Sequence, residues 1–300
     1  MRVTVIGSLA FDTIETPYAK CVEVLGGSAT FASISASFFT GVNLISVVGT
    51  DFPEKYFRLF HKHGIDTTGL ERKEGNTFRW SGRYSDDFNN RQTLSTHLNV
   101  FTGFKPSIPS NVRARDTLLL ANIDPDLQKW IFDKVKPSGL VACDTMDLWI
   151  ECKRKELLKL LKRVDIFLLN DSEARKLSGE TSLIKAAQFI SSLGARMVVI
   201  KKGEHGALFF SGGKSLFVVP AYLLEDIVDP TGAGDTFVGG MMGYLSRKTK
   251  VTAGDLRRSL VYGSILASFT VEAFSVDGLL KTSRAKVDAR YEHFRKLVTF

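Results

Sequence analysis

The chain has 300 residues, 44% of them hydrophobic and 24% charged, with 25 Gly and only 8 Pro, which is enough apolar material for a full core and too ordinary a mix for a disordered or fibrous chain. Forty Lys and Arg against 32 Asp and Glu leave a net charge of +8, so nucleic acid, an anionic membrane surface or an anionic substrate all have to be weighed as partners. No apolar run reaches the length of about 18 residues that a membrane-spanning helix needs, and the Gly, Ser and Asp in MRVTVIGSLAFD are unlike a signal peptide.

In chain order, residues 3–7 (VTVIG) read as a buried strand, and 27–39 as a helix with Phe31, Ile34 and Phe38 on one face. Residues 44–49 form a second strand, after which Pro53 opens a helix that stops at Gly64. Four further apolar runs, 117–122, 140–144, 165–171 and 197–203, alternate with helical stretches at 125–135, 153–163 and 182–193. This alternation predicts a parallel sheet with helices on both faces, and such sheets bind ligands beyond the carboxyl ends of their strands. Two segments break the rhythm: 13–25, which is short and partly β-branched, and 77–100, which alternates around a Ser-Asp-Asp-Phe-Asn-Asn turn. Both are expected to form a small β lid over the carboxyl-end face of one domain spanning 1–300. Cys21, Cys143 and Cys152 share no metal-type spacing and cannot make a disulfide framework, which fits a reducing cytoplasm.

The strongest local signal is Asp-Pro-Thr-Gly-Ala-Gly-Asp-Thr-Phe at 229–237. A strand-like run ends at Val228 and a small-residue helix begins near Ala233. Gly232 and Gly234 let the backbone approach a ligand closely, and the free amides of a helix start form an anion site. Asp235, in the first turn of that helix, is placed to take a proton from a hydroxyl attacking a bound phosphate. Other glycine motifs fail. Gly-Lys-Ser at 213–215 lacks the upstream Gly and the helix of a phosphate-binding loop, and Phe237 stands where a dinucleotide fingerprint needs its third Gly.

The string TGAGDTF, with GSLAFD near the N-terminus and Gly26-Gly27 opening the first helix, resembles the ribokinase-like (PfkB) family of sugar and nucleoside kinases from residue 3 to about 278. The resemblance implies a three-layer α/β/α sandwich with a mostly parallel central sheet and a β lid. It implies ATP and Mg2+ as cofactors and a small sugar or nucleoside as substrate, phosphorylated on a hydroxyl. Nucleic acid, which only the charge suggests, and membrane are not expected as partners. Asp235 matches the catalytic base, and Gly232, Ala233 and Gly234 match the anion hole. Asn170 and Glu173 look like the motif that organises Mg2+, Glu173 acting through water. Lys202, Gly203 and Gly206 resemble the turn along the nucleotide, and Thr231 joins them as a cofactor contact. Asp12, Gly26, Gly27 and Phe31 fall at acceptor-binding positions.

The departures bear on the substrate. Phe31 replaces an Asn that usually bonds an acceptor hydroxyl, and Ala10 stands where a polar residue is common. An aromatic ring suits a flatter or less polar acceptor, such as a nucleobase or a modified sugar; equally, the spacing of Phe31 from Ile34 and Phe38 suits a core position. Sugar and nucleoside both stay open, as does a weakly active binding or regulatory protein on the same scaffold. The brevity of 13–25 argues against a lid strand pair and against lid-mediated dimerisation, leaving monomer or homodimer. Lys201 and Lys202 read as solvated strand-end charges. The charge excess sits in 151–163 and 281–300, each with six positive and two negative residues, and both read as amphipathic outer helices.

Overall fold

The computed structural model describes residues 1–86, 88, 91–212 and 215–299. The tip of the 85–90 turn and the Gly-Lys of the rejected phosphate-loop motif lie outside the described residues. From the N-terminus, β1 (Val3–Ile6), β2 (Ala10–Glu15) and β3 (Lys20–Gly26) precede α1 (Ser28–Ser37), β4 (Val42–Gly49), α2 (Glu54–Lys62) and β5 (Ile65–Lys73). β6 (Phe78–Tyr84) and β7 (Arg91–His97) lead to β8 (Thr117–Leu120), α3 (Pro125–Val135), β9 (Val141–Asp144), α4 (Asp147–Cys152) and α5 (Arg154–Leu161). The remainder holds β10 (Ile166–Asn170), α6 (Asp171–Ser178), α7 (Leu183–Ser192), β11 (Met197–Lys201), β12 (Ala207–Ser211) and β13 (Ser215–Val219). Four helices close the chain: α8 (Ala233–Leu245), α9 (Ala253–Val271), α10 (Asp277–Leu280) and α11 (Arg284–Val298).

Nine strands form one sheet in the order β13-β12-β11-β10-β9-β8-β1-β4-β5, parallel from β11 to β5, with β12 and β13 antiparallel at one edge. The apolar runs read as strands are buried because successive side chains feed opposite faces. Ile166 and Leu168 join the core under α1, α8 and α9, while Phe167 and Leu169 join the core under α5, α6 and α7. The result is the three-layer sandwich of the ribokinase-like fold.

β3-β2-β6-β7 form a separate four-stranded sheet, built from the segments expected to make the lid. Its first pair is complete because it starts at Ala10, before the segment whose brevity argued against it; Ala10 pairs with Gly26 and Glu15 with Lys20. Besides the short helices α4 and α10, two longer elements have no counterpart in the sequence reading. β5 is a largely polar edge strand, and α9 is a long helix rich in small and polar residues, so neither carries a clear apolar period. Conversely, the strand expected before Val228 is absent: residues 220–232 are irregular, and Val228 N–H donates to the Val271 carbonyl at 2.8 Å.

The two basic helices lie on the outside and contribute nothing to the strand ends. α5 buries Leu157, Leu160 and Leu161, and α11 buries Val287 and Phe294. Several of their charges are paired, including Arg290 with Glu272 at 3.0 Å and Arg284 with Asp288 at 2.9 Å. Among the described residues no helix is long and apolar enough to cross a membrane.

α8 reaches its place by packing closely on α1. A Cβ at Gly239 would overlap the Ala32 carbonyl oxygen, so only glycine allows this approach. Gly239→Ala is therefore expected to destabilise the fold by about 1–3 kcal/mol through overpacking, read as a lowered urea midpoint at constant m-value. An unchanged midpoint would show that the two helices can separate without penalty.

Candidate active site

The site assembles where parallel strands end. The three expected clusters come together as the fold requires: the turn after β1 with β2, the loop before α8, and the ends of β9, β10 and β11. Gly232 caps α8 with φ 77°, a left-handed conformation; the Ala233 amide donates to the Pro230 carbonyl at 3.1 Å, and the half-buried amides of Gly232 and Gly234 have no such bond among the described residues. A Cβ at Gly232 would overlap the Phe31 ring. Phe31 itself is 1% exposed, so it forms the floor under the glycine turn. Its expected place among acceptor-binding residues is therefore corrected: the helical face it shares with Ile34 is the buried one.

Asp12 lies on β2, 5% exposed, and accepts the Gly27 amide. A Cβ at Gly26 would overlap its carboxylate, so the glycine pair makes room for this side chain, and Gly27 (φ 91°) starts α1 beside it. Burial, reinforced by Asp229 and Asp235, pushes the Asp12 carboxyl up to about 7. Asp235 is raised to about 6 by burial and by Asp144, against the opposing pull of Lys201 and Arg91. Asp229 is fully buried, raised by burial, and accepts the Thr231 amide at 2.8 Å. Thr231, expected beside the nucleotide, donates its hydroxyl to the Tyr84 hydroxyl of β6 at 3.0 Å.

Asn170 ends β10 and caps α6. Its side chain accepts the Glu173 amide at 2.7 Å, while Glu173 Oε2 accepts the Asn170 amide at 2.6 Å, a reciprocal capping box. Glu173 thus performs the helix-start role that its position alone suggested. It is also 6% exposed, and burial pushes its carboxyl up to about 7 despite Lys201. At the end of β11, Lys202 and Gly203–His205 make a tight turn in which the Lys202 amide donates to the Gly206 carbonyl at 2.7 Å. Gly203 and Gly206 both have positive φ, and a Cβ at Gly206 would overlap the Val219 carbonyl.

Sequence reasoning missed the central ion pair. Lys201 is not a solvated strand-end charge: its Nζ bonds both Asp144 oxygens, at 2.7 and 3.0 Å, reaching across β10 from β11 to β9. Burial alone would lower its pKa, but Asp144, Glu173 and Asp235 outweigh this and raise it. The ammonium lies about where it would touch a Cβ on Gly234, 3.4 Å away, directly behind the helix start. The signal was available, since Asp144, Asn170 and Lys201 each end an apolar run. Tyr84 and Arg91 were missed because nothing in a lid hairpin says which way it folds.

A helix start with open amides, a half-buried acid in its first turn and a buried acid on the facing small sheet are the arrangement of a phosphotransferase acting on a hydroxyl. The model of the pfkB family carbohydrate kinases matches residues 2–282, and the chain belongs to that family, whose kinases use ATP to phosphorylate sugars and nucleosides. The chain is 30% identical over 251 residues to a cytidine kinase of Thermococcus kodakarensis, covering 82% of this chain and 89% of that one. Among solved structures it is similar to the Methanocaldococcus jannaschii nucleoside kinase (TM-score 0.76, 19% identity, 97% and 98% of the two chains). It is similar in the same way to the aminoimidazole riboside kinase of Salmonella enterica complexed with its riboside and an ATP analog (TM-score 0.76, 19% identity, 97% of this chain and 100% of that one).

The raised acids make stability depend on pH. As pH rises from about 4 to about 7 the unfolded chain loses its Asp12 proton before the folded one does, so the folded state is progressively disfavoured through that window. Asp12→Asn is accordingly expected to raise Tm near pH 8 and to change it little near pH 4. Thermal denaturation at the two pH values checks this, and an equal or lower Tm at the higher pH would contradict it.

Proposed function

We propose that the chain is a nucleoside kinase, transferring the γ-phosphoryl group of ATP to a hydroxyl on the ribose of the acceptor. The observation that carries the reading is Asp235, raised to about 6 in the first turn of α8, beside the amides of Gly232 and Gly234, while that of Ala233 is turned to the Pro230 carbonyl. The preference for a nucleoside over a bare sugar is supported by the similarity to the cytidine kinase over most of both chains.

In this reading Asp12, with the Gly26-Gly27 backbone, holds acceptor hydroxyls. Asp235 takes the proton of the attacking hydroxyl as its oxygen bonds to phosphorus and the bond to the β-phosphate oxygen breaks. The amides at the start of α8, with Lys201 behind them, stabilise charge on the transferring group. Lys202, Gly203 and Gly206 lie along the nucleotide, and the lid excludes water, which suppresses hydrolysis of ATP.

A magnesium ion fits the acidic end of the sheet. Among the described residues no three His, Cys, Asp or Glu side chains converge closely enough to cage a metal. Glu173, within electrostatic reach of Asp144 and Asp147, would therefore hold it through water. When bound, the ion would neutralise phosphate charge. A cytoplasmic location suits the three free cysteines. The kinase works as a monomer or homodimer built from one domain with its lid.

Two measurements test the reading. Asp235→Asn is expected to lower kcat by about 10²–10⁴-fold while ATP binding and Tm persist. In the unaltered protein, kcat/KM should fall as pH drops below about 6, the Asp235 value. Near-normal turnover in the variant would overturn the mechanism. ADP release across a panel of nucleosides and sugars identifies the acceptor, and stimulation by free pentoses alone would replace nucleoside with sugar.

A further inference from the structure

The lid sheet turns one face toward the site, and strand register says which residues share it. In β6, Trp80, Gly82 and Tyr84 alternate onto one face. Asp12 is the β2 partner of Trp80, and Arg91 is the β7 partner of Tyr84. The bond from Thr231 to the Tyr84 hydroxyl, 3.0 Å, shows that this face looks onto the loop before α8. Asp12, Trp80, Tyr84 and Arg91 therefore project together over the acceptor site.

Arg91 is held there by its neighbours. Its guanidinium lies 5.2 Å from the centre of the Trp80 ring, a cation–π distance, and it is bonded to Tyr84. The indole lies across Gly82, where a Cβ would overlap its ring carbons, and its Nε1 donates to Thr93 Oγ1 at 3.4 Å. Among the described residues Arg91 forms no salt bridge, whereas Lys201 is committed to Asp144. Arg91 is also exposed, and its charge reaches Asp12 and Asp235, favouring the ionised form of each.

The charge balance says what such a group is for. Asp12, Asp229 and Asp235 are already acidic neighbours whose ionisation is disfavoured, and the triphosphate of ATP adds negative charge beside them. A guanidinium that no carboxylate among the described residues engages, presented as a rigid planar fork, bonds phosphoryl oxygens two at a time. We propose that Arg91 is a further catalytic residue, bonding the γ-phosphoryl oxygens on the side opposite the α8 amides during transfer, with Trp80 as its positioning residue. Arg91 makes and breaks no covalent bond. The acceptor oxygen bonds to phosphorus, its proton passes to Asp235, and ADP leaves with the electron pair of the broken bond. The inference rests on the reading of Asp235 as the base.

The test uses the full chain with ATP, magnesium and the best acceptor from the panel. Arg91→Ala is expected to lower kcat by about 10²–10³-fold, with Tm and the KM for acceptor little changed. Added guanidinium should restore part of the turnover of Arg91→Ala, and Arg91→Lys should retain an intermediate rate. A kcat within about threefold of the unaltered protein, or a loss confined to the acceptor KM, overturns the proposal. So does a loss that neither guanidinium nor Arg91→Lys relieves. Asp235→Asn run in parallel separates the two readings: if it is inactive while Arg91→Ala is active, only the role of Arg91 fails. If Asp235→Asn is active, the base assignment fails first.

Discussion

Asp12, Asp229 and Asp235 are gathered in a largely buried place, where Asp229 and Asp235 raise the cost of ionising Asp12 and Asp144 raises that of Asp235. Burial is the largest upward push on all three, and only fixed positive or dipolar groups can offset it. The molecule supplies these from three directions. The start of α8 presents open amides, Lys201 stands behind Gly234 locked to Asp144, and Arg91 arrives from the lid. Removing Lys201 or Arg91 would leave Asp235 more nearly neutral, and a neutral Asp235 cannot accept a proton.

That constraint explains the glycines around the site. Gly232 must adopt a positive φ and lie against Phe31, so the helix start can face the ligand while an aromatic ring supports it from below. Gly26 clears space for the Asp12 carboxylate, and Gly239 lets α8 sink onto α1 far enough to carry Asp235 to the strand ends. The glycines at 26, 232 and 239 thus set distances between charges through close backbone approach. The lid depends on the same device, since Gly82 lets Trp80 lie flat and carry Arg91.

In the proposed reading, the capping box of Asn170 and Glu173 lets one residue serve fold and site together. Glu173 Oε2 closes the start of α6, which fixes the carboxylate at the end of β10 near Lys201 and Asp144. A helix-cap reading and a metal-organising reading of this glutamate do not compete. The cap provides the rigidity that an outer-sphere contact to an ion requires.

The parallel sheet, the order of most helices, the glycine helix start and Asp235 were all legible in the chain itself, because apolar runs and glycine strings report local conformation directly. β5 and α9 were not, since a polar edge strand and a small-residue helix lack a clear apolar period. Whether Phe31 faced ligand or core was undetermined at the level of sequence, because the same spacing serves both, and only the packing of α8 on α1 placed it beneath Gly232. The pairing of Lys201 with Asp144 joins residues 57 apart across an intervening strand. The turning of Tyr84 and Arg91 onto the site depends on how the lid sheet lies against the body. Local pattern settles which residues can do chemistry; which charges meet is decided by long-range contacts that no single segment encodes.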